Sequence, residues 1–383
     1  MRESWPEVTL GDVITLKRGY DLPNNARRDG TVPIVSSSGI TGYHDEAKID
    51  GPGVVTGRYG TLGEVFLITE RFWPLNTTLY VQDFKGNDPA FISYFLRTLN
   101  LASQNTAGAV PGLNRNALHM LRASIPPLPT QRKIAAILSA YDDLIENNTR
   151  RVQVLEDMAR ALYREWFVEY RYPGHETAEF IEDEQGRRPK GWEWCDVGDL
   201  VVRIPVGKKY DQKSVLPEGR VPVFDQGRSG IIGYHNDNPG VIASHYRPVI
   251  TFANHTCYQR LVLEPFSAIQ NVLPFVPHPS KGLDIFWLHY TTHGVVQLND
   301  YKGHWPEFAA KTILTPQIEL TKRFGEFAKP LEIAKKSLLD RNANLRRTRD
   351  LLLPRLVSGE LDVSELDIRG AAEGITDEVE AVA

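Results

Sequence analysis

Residues 131–172 read QRKIAAILSAYDDLIENNTRRVQVLEDMARALYREWFVEYRY, and this stretch decides the architecture. Ile134, Leu138, Tyr141, Ile145, Asn148, Val152, Leu155, Ala159, Leu162 and Trp166 follow a strict 4-3 alternation, with no proline or glycine from Gln131 to Tyr172. A helix with that spacing carries one continuous stripe, the a/d seam of a coiled coil. Phe327, Leu331, Ala334, Leu338, Arg341, Leu345, Thr348 and Leu352 repeat the spacing more weakly, with Pro330 near the helix start, where a first-turn proline is tolerated. The two helices are expected to pair antiparallel, each reaching about 54 Å for about 36 residues. Asn148 in the first seam and Asn342 near the matching place of the second are candidates for fixing coiled-coil register, the best-attested role of a seam asparagine. An asparagine exposed where the seam twists away is the alternative.

Outward from the helices the chain repeats itself. Trp5 with Leu10-Gly11-Asp12-Val13 returns as Trp192 with Val197-Gly198-Asp199-Leu200. Val32-Pro33-Ile34-Val35 returns as Val221-Pro222-Val223-Phe224, and Gly39-Ile40-Thr41-Gly42-Tyr43-His44 as Gly230-Ile231-Ile232-Gly233-Tyr234-His235. Pro52-Gly53-Val54-Val55 is aligned with Pro239-Gly240-Val241-Ile242. The first part of each repeat holds short β-type runs such as Val65–Ile68, Thr78–Val81 and Val249–Phe252, broken by Gly, Pro, Asn and Asp. The expected fold is α+β: two pseudo-twofold-related globular domains separated by two long antiparallel coiled-coil helices. The boundaries are set at 1–128 and 191–316 for the domains, 129–171 and 317–358 for the helices, 172–190 for a linker and 359–383 for a tail. Two similar heads at the ends of a rod suit a pseudo-symmetric target, and duplex DNA is one.

A length of 383 residues agrees with two domains, since single cores stop growing near that size. Apolar residues at 42% and charged residues at 24% describe an ordinary soluble protein and exclude collagen-like or wholly disordered chains. Cys195 and Cys257 are too few for a disulfide framework and lack zinc-site spacing, so no metal site is expected and a reducing compartment follows. No apolar run approaches the roughly 20 residues of a membrane span, so the expectation is a cytoplasmic protein without a membrane partner. The net charge of −4 conceals an uneven distribution: residues 359–383 carry −7, leaving +3 on residues 1–358. That tail reads as a solvated, disordered end, and whole-chain charge decides little about nucleic acid.

No motif for catalysis is found. The chain lacks GxxxxGK[ST], a GxGxxG after a strand, an Asn-Pro-Pro-Tyr or Asp-Pro-Pro-Phe base-flipping motif and a Pro-Asp nuclease motif. Gly57-Arg58-Tyr59-Gly60 reads as a turn presenting Arg58 and Tyr59, where an arginine can grip phosphate or hold guanine O6 and N7. Ser244-His245-Tyr246-Arg247-Pro248 is taken as the corresponding loop of the second copy. Ser36, Ser37 and Ser38, and Asp225-Gln226-Gly227-Arg228-Ser229, occupy matching loops after the Val-Pro runs; Gln226, Arg228 and Ser229 suit base edges or phosphates. Asn76, Thr77 and Thr78 match Gln270 and Asn271, and Asn114 and Arg115 complete the candidate DNA contacts. Ordinary polar turns and a solvated arginine are the alternatives at these places. Asn254-His255-Thr256-Cys257 is not read as a Cys/His nucleophile, because residues two apart in a β-type run face opposite sides. Trp166, Phe167 and Tyr170 fit either core or a docking patch.

Three stretches together carry a family resemblance: Ile125-Pro126-Pro127-Leu128-Pro129-Thr130-Gln131-Arg132-Lys133-Ile134 entering the first helix, Trp166-Phe167-Val168 with Tyr172-Pro173-Gly174-His175-Glu176 leaving it, and Leu353-Pro354-Arg355-Leu356-Val357-Ser358-Gly359-Glu360-Leu361 closing the second. With the repeat order, they make residues 1–361 resemble the specificity subunit of type I restriction-modification systems. The resemblance implies a non-catalytic DNA-binding subunit whose two target-recognition domains each read half of a split double-stranded DNA site, with the helices setting the gap. It implies docking of two methyltransferase subunits and, in the full complex, restriction subunits. S-adenosylmethionine, ATP and Mg would then be used by those partners, with no cofactor bound by this chain. The alternatives are a specificity-like subunit of another DNA-modifying or phage-defence assembly, and a coiled-coil structural protein without DNA contacts.

Overall fold

The computed structural model of the chain describes residues 5–104, 112–184, 186–227, 230–298 and 302–367. It divides into two compact units, residues 1–147 with 342–383 and residues 148–341. Each unit therefore combines one globular part with pieces of both long helices.

The first unit runs β1 (Glu7–Thr9), α1 (Leu10–Val13), β2 (Thr15–Arg18), β3 (Val32–Ser36), β4 (Gly39–His44), β5 (Gly53–Gly57), β6 (Val65–Ile68), β7 (Trp73–Pro74), β8 (Thr78–Asp83), α2 (Pro89–Thr98), α3 (Arg115–His119), β9 (Arg122–Ser124) and the start of α4 (Leu128–Tyr163). Its sheets have the orders β2-β8-β5-β6, β4-β3-β7 and β1-β9. The second unit contains β10 (Phe180–Asp183), β11 (Gly186–Pro189), β12 (Glu193–Asp196), α5 (Val197–Leu200), β13 (Val201–Arg203), β14 (Val221–Phe224), β15 (Ile231–His235), β16 (Val249–Ala253), β17 (Gln259–Val262), β18 (Ser267–Ala268), β19 (Val272–Pro277), α6 (Ile285–Thr292), α7 (Trp305–Ala309), β20 (Thr312–Thr315) and most of α8 (Ile318–Val357). Its sheets read β13-β19-β16-β17, β15-β14-β18 and β12-β20, the same orders again, plus a β10–β11 hairpin. Even the parallel pairing of β3 with β7 recurs, as β14 with β18. The sequence repeat is thus a repeat of topology.

The Leu-Gly-Asp-Val and Val-Gly-Asp-Leu motifs are the one-turn helices α1 and α5, whose outer residues Leu10, Val13, Val197 and Leu200 are buried. Glycine sits at the second place because a Cβ there would lie 3.2 Å from the His119 carbonyl oxygen in one unit and 3.1 Å from that of Ala309 in the other. Asp88 caps α2 by accepting from the Phe91 amide at 2.9 Å, and Asp284 caps α6 by accepting from Phe286 and Trp287 at 2.8 and 3.2 Å. The long helices reach back to these caps. Buried Gln131 accepts from the Asp88 amide at 2.9 Å and donates to Asn87 Oδ1 and the Pro126 carbonyl at 2.7 and 2.9 Å. Thr321 accepts from the Asp284 amide at 3.2 Å.

Within each unit the helix segments run antiparallel. In the first, Ile134 and Leu138 share a core with Leu356 and Val357, Asp142 pairs with Arg349, and the Ile145 carbonyl accepts from Asn342 Nδ2 at 3.1 Å. In the second, Trp166 and Tyr163 pack on Phe324 at 6.1 and 6.0 Å between ring centres, and Leu155 shares a groove with Leu338. The first seam is buried or half-buried at every one of the expected positions.

The second seam differs from the expectation. It runs through Phe324, Ala328, Leu331, Lys335, Leu338, Asn342, Leu345, Arg349, Leu352 and Leu356, whereas Phe327 is 50% exposed and Arg341 and Thr348 are also exposed. Reading by apolar identity shifted alternate positions by one residue, because the true stripe includes cations held by carboxylates: Lys335 by Glu332 at 2.8 Å and Arg349 by Asp142. Asn342 does lie in the seam, is buried and bonds to the helix backbone; Asn148 is buried in the other unit. Pro330 sits well inside α8, which starts at Ile318, so it is not a first-turn proline; its position is exposed. The tail beginning at residue 359 is not solvated throughout: Val363 is buried in the first core and Lys133 Nζ donates to the Ser364 carbonyl. Residues 368–383 lie outside the described residues.

Candidate nucleic-acid interface

The loop after β5 is fastened on both sides. Arg58 and Tyr59 donate their amides to the Thr77 carbonyl at 2.8 and 3.1 Å, and the Arg58 carbonyl accepts from Leu113 at 3.0 Å. The Arg58 guanidinium lies 4.5 Å from the centre of the Tyr59 ring. A Cβ on Gly112 would overlap that ring, so glycine is required there for the tyrosine to lie flat. Asn114 caps α3 by accepting from the Asn116 amide at 2.9 Å, which sets Arg115 in the first turn. His119, at the other end of α3, accepts from the Leu16 amide at 2.9 Å through Nε2; burial, helped by the charge of Arg115, lowers its pKa and keeps it a neutral acceptor.

These elements surround a polar cleft of ≈ 380 Å³ lined by Arg18, Arg58, Tyr59, Asn114, Arg115 and Asn116, among others. Four expected residues, Arg58, Tyr59, Asn114 and Arg115, are therefore brought together. Arg18 and Asn116 were missed, as a strand end and a helix turn carry no sequence signal of their own. Ser37 supports the loop from below, since a Cβ on Gly57 would touch it at 3.0 Å. Ser36 and Thr78 are buried and spend their hydroxyls on the Gly39 and Leu75 carbonyls at 3.2 and 2.7 Å, which makes them part of the scaffold. Ser38 is exposed, 3.0 Å from the Ser36 hydroxyl, and Thr77 Oγ1 is buried without a hydrogen-bond partner.

Residues 2–157 match the family of the type I restriction modification DNA specificity domain. The chain is similar to type I specificity subunits. A type I restriction enzyme specificity subunit of Methanocaldococcus jannaschii is 25% identical over 285 residues, 67% of this chain and 64% of that one. One from Escherichia coli is 27% identical over 158 residues, 40% of this chain and 39% of that protein, and one from Haemophilus influenzae is 23% identical over 68% of this chain and 73% of that one. The chain thus spans less than two thirds of the length of the first two relatives. In fold it is similar to a crystal structure of the type I restriction-modification S subunit from M. genitalium, with a TM-score of 0.65 at 15% identity over 92% of this chain and 96% of that one.

In the second unit, the counterpart of the first unit's Arg58 loop is Asn254–Tyr258, not Ser244–Pro248. β16 occupies the place of β5, and the Asn254 amide bonds to the Asn271 carbonyl at 2.8 Å as Arg58 does to Thr77. The misalignment has a physical cause. Ile49 bridges Phe72 just as Val241 bridges Phe266, but the first unit then needs residues 50–52 to reach its strand and the second uses 242–248. The repeated Pro-Gly is local turn chemistry within that unequal stretch. His245, Tyr246 and Arg247 therefore sit on an inserted turn before β16, closed by Ser244–Arg247 backbone bonds, with Tyr246 78% exposed and Lys329 Nζ 5.6 Å from its ring.

The loop after β16 is a turn rather than the expected β-type run, and its side chains are tied down. Gln226 accepts from the His255 amide at 2.8 Å and its carbonyl accepts from Thr256 Oγ1 at 2.5 Å. Asn254 Oδ1 accepts from the Trp305 amide at 2.9 Å, and the His255 ring is 2.9 Å from the Lys302 carbonyl. Burial pushes the Cys257 thiol up, away from thiolate chemistry. Asn271 is half-buried beside this turn, and Gln270 is exposed. Arg228 and Ser229 lie outside the described residues. No group of three or more His, Cys, Asp or Glu is placed to hold a metal among the described residues, and no described helix is long and apolar enough to cross a membrane.

The family-like stretches prove to be junctions. Gln131 locks the start of α4 onto the cap of α2. Trp166 and Phe167, on a π turn at Arg164–Val168, are core residues of the second unit, packed with Trp192, Trp287 and Phe324. Leu356 and Val357 do the equivalent at the end of α8 in the first unit.

Proposed function

We propose that the chain is the DNA sequence-specificity subunit of a type I restriction-modification assembly, reading a split duplex target with one unit per half-site. The observation that carries this reading is the repeated topology with different chemistry at the matched loop: the same strand order holds Arg58 and Tyr59 in one unit and Asn254 and His255 in the other. Two scaffolds of one shape with unlike loops are what two unlike half-sites require. The resemblance to specificity subunits supports it. The long helices would link the two readers and offer surface for methyltransferase and restriction subunits, which would use S-adenosylmethionine, ATP and Mg, while this chain contributes no catalytic side chain and works in the cytoplasm.

Methylome sequencing of cells with and without the chain tests the proposal. Loss of adenine methylation at one two-part motif on deletion is expected; an unchanged methylome, with no methyltransferase copurifying, would remove it in favour of a different DNA-modifying partner.

A further inference from the structure

The cleft of the first unit gathers Arg18, Arg58 and Arg115 around one space. Among the described residues Arg58 and Arg115 have no carboxylate partner, and Arg18 has only Asp21 at 3.6 Å, with both side chains more than half exposed. Like charges brought into one cleft repel each other unless an anion enters. The cleft is also prearranged for one. Arg58 is fixed at its amide, its carbonyl and its guanidinium face, so its remaining N–H edges are presented at little further entropic cost.

A guanine edge takes one arginine in a two-bond fork and would leave the other guanidinium groups uncompensated. A phosphate oxygen cluster accepts from several at once. Nor does the fold need these arginines: at the matched places the second unit has Asn254 for Arg58 and, in the first turn of α7, Trp305 for Arg115.

We infer that the cleft between the β5–β6 loop and α3 is a phosphate site, in which Arg58 and Arg115, with Arg18 beside them, grip a backbone phosphodiester of the duplex and do not read a base. The inference rests on the DNA-binding reading above.

The test is a salt titration. The full chain, copurified with its assembly, is bound to a labelled duplex across a potassium chloride series, for wild type, Arg58→Ala, Arg115→Ala and the charge-preserving Arg58→Lys. Each alanine variant should lower the slope of log affinity against log salt by about 0.9, the loss of one phosphate contact. The sequence preference should stay unchanged, and Arg58→Lys should keep the wild-type slope. A wild-type slope in both alanine variants, or an unchanged slope with relaxed preference at one base, would overturn the phosphate site and leave the DNA reading intact. A wild-type complex that binds no duplex would end both.

Discussion

The loop after β5 and the loop after β16 leave equivalent strands of equivalent sheets, yet one opens into an arginine-lined cleft and the other closes on itself through Gln226, Asn254 and His255. What the two share lies beneath: the glycine-bearing one-turn helix, the aspartate cap and the helix residue that reaches back to it. The comparison teaches that the shared residues solve packing problems common to both units, while the loops are released from that duty and can diverge.

The largest effects should come from breaking the shared part in one unit. Phe324 is fully buried among Tyr163, Trp166, Phe167 and Tyr290. Phe324→Ala should cost about 3–5 kcal/mol and raise amide exchange within residues 148–341 while residues 5–104 keep their protection. Equal loss in both units would show that they do not unfold separately. Next are the cap-binding residues. Gln131→Ala strips partners from buried groups of the first unit and should cost about 1–3 kcal/mol. Thr321→Ala removes a single weaker acceptor in the second and should cost about 1 kcal/mol. Thermal melting of the two variants checks the order, and a larger loss at Thr321 would break the equivalence.

Acid should separate the units by a smaller margin. His289 is buried in the second unit beside Gln259, and burial, aided by the nearby positive charge of Lys335, lowers its pKa well below the ordinary 6.5. His235 and His293 of the same unit shift the same way, against His119 alone among the described residues of the first. Above 6.5 such a histidine is neutral whether folded or unfolded. Below it the unfolded chain takes the proton and the folded one does not, so stability falls as the pH falls. The penalty is largest for His289, whose pKa is lowered furthest. Asp284, its carboxyl raised by burial, acts in the opposite sense. The second unit should therefore lose more exchange protection than the first between pH 7.5 and 5.5, and His289→Gln should flatten that dependence; identical loss in both units would refute the assignment.

Much of this was legible in the sequence, for reasons visible in particular residues. The first helix could be read because its seam is apolar almost throughout, and the repeat because Leu10-Gly11-Asp12-Val13 must fit a one-turn helix against a neighbouring carbonyl. The second seam could not be fully read: Lys335 and Arg349 occupy it with carboxylate partners, Glu332 three residues earlier on the same helix and Asp142 on the other, and periodicity counts such cations as surface. Arg58 with Tyr59 and Asn114 with Arg115 are legible as two separate pairs, but nothing local says that residues 58 and 115 line one cleft with Arg18. The pairing of Arg58 with Arg247 failed because a turn insertion of a few residues moves a loop to the other end of a strand while leaving its composition similar.

That failure yields the smallest expected effect. Arg247 lies before β16 and Asn254 after it, so the inserted turn stands at the end of the strand opposite the loop that matches Arg58. Arg247 donates its amide to the Ser244 hydroxyl at 3.1 Å and shows no carboxylate partner among the described residues, while its neighbour Tyr246 is near Lys329 of α8. A side chain on such a turn contributes to stability within about 0.5 kcal/mol, since the turn is held by backbone bonds that alanine keeps. Arg247→Ala should therefore leave melting, duplex affinity and salt slope at wild-type values, where Arg58→Ala lowers the slope. A drop in slope for Arg247→Ala equal to that of Arg58→Ala would mean that the inserted turn also meets the duplex backbone, and that the two units grip DNA from opposite ends of equivalent strands.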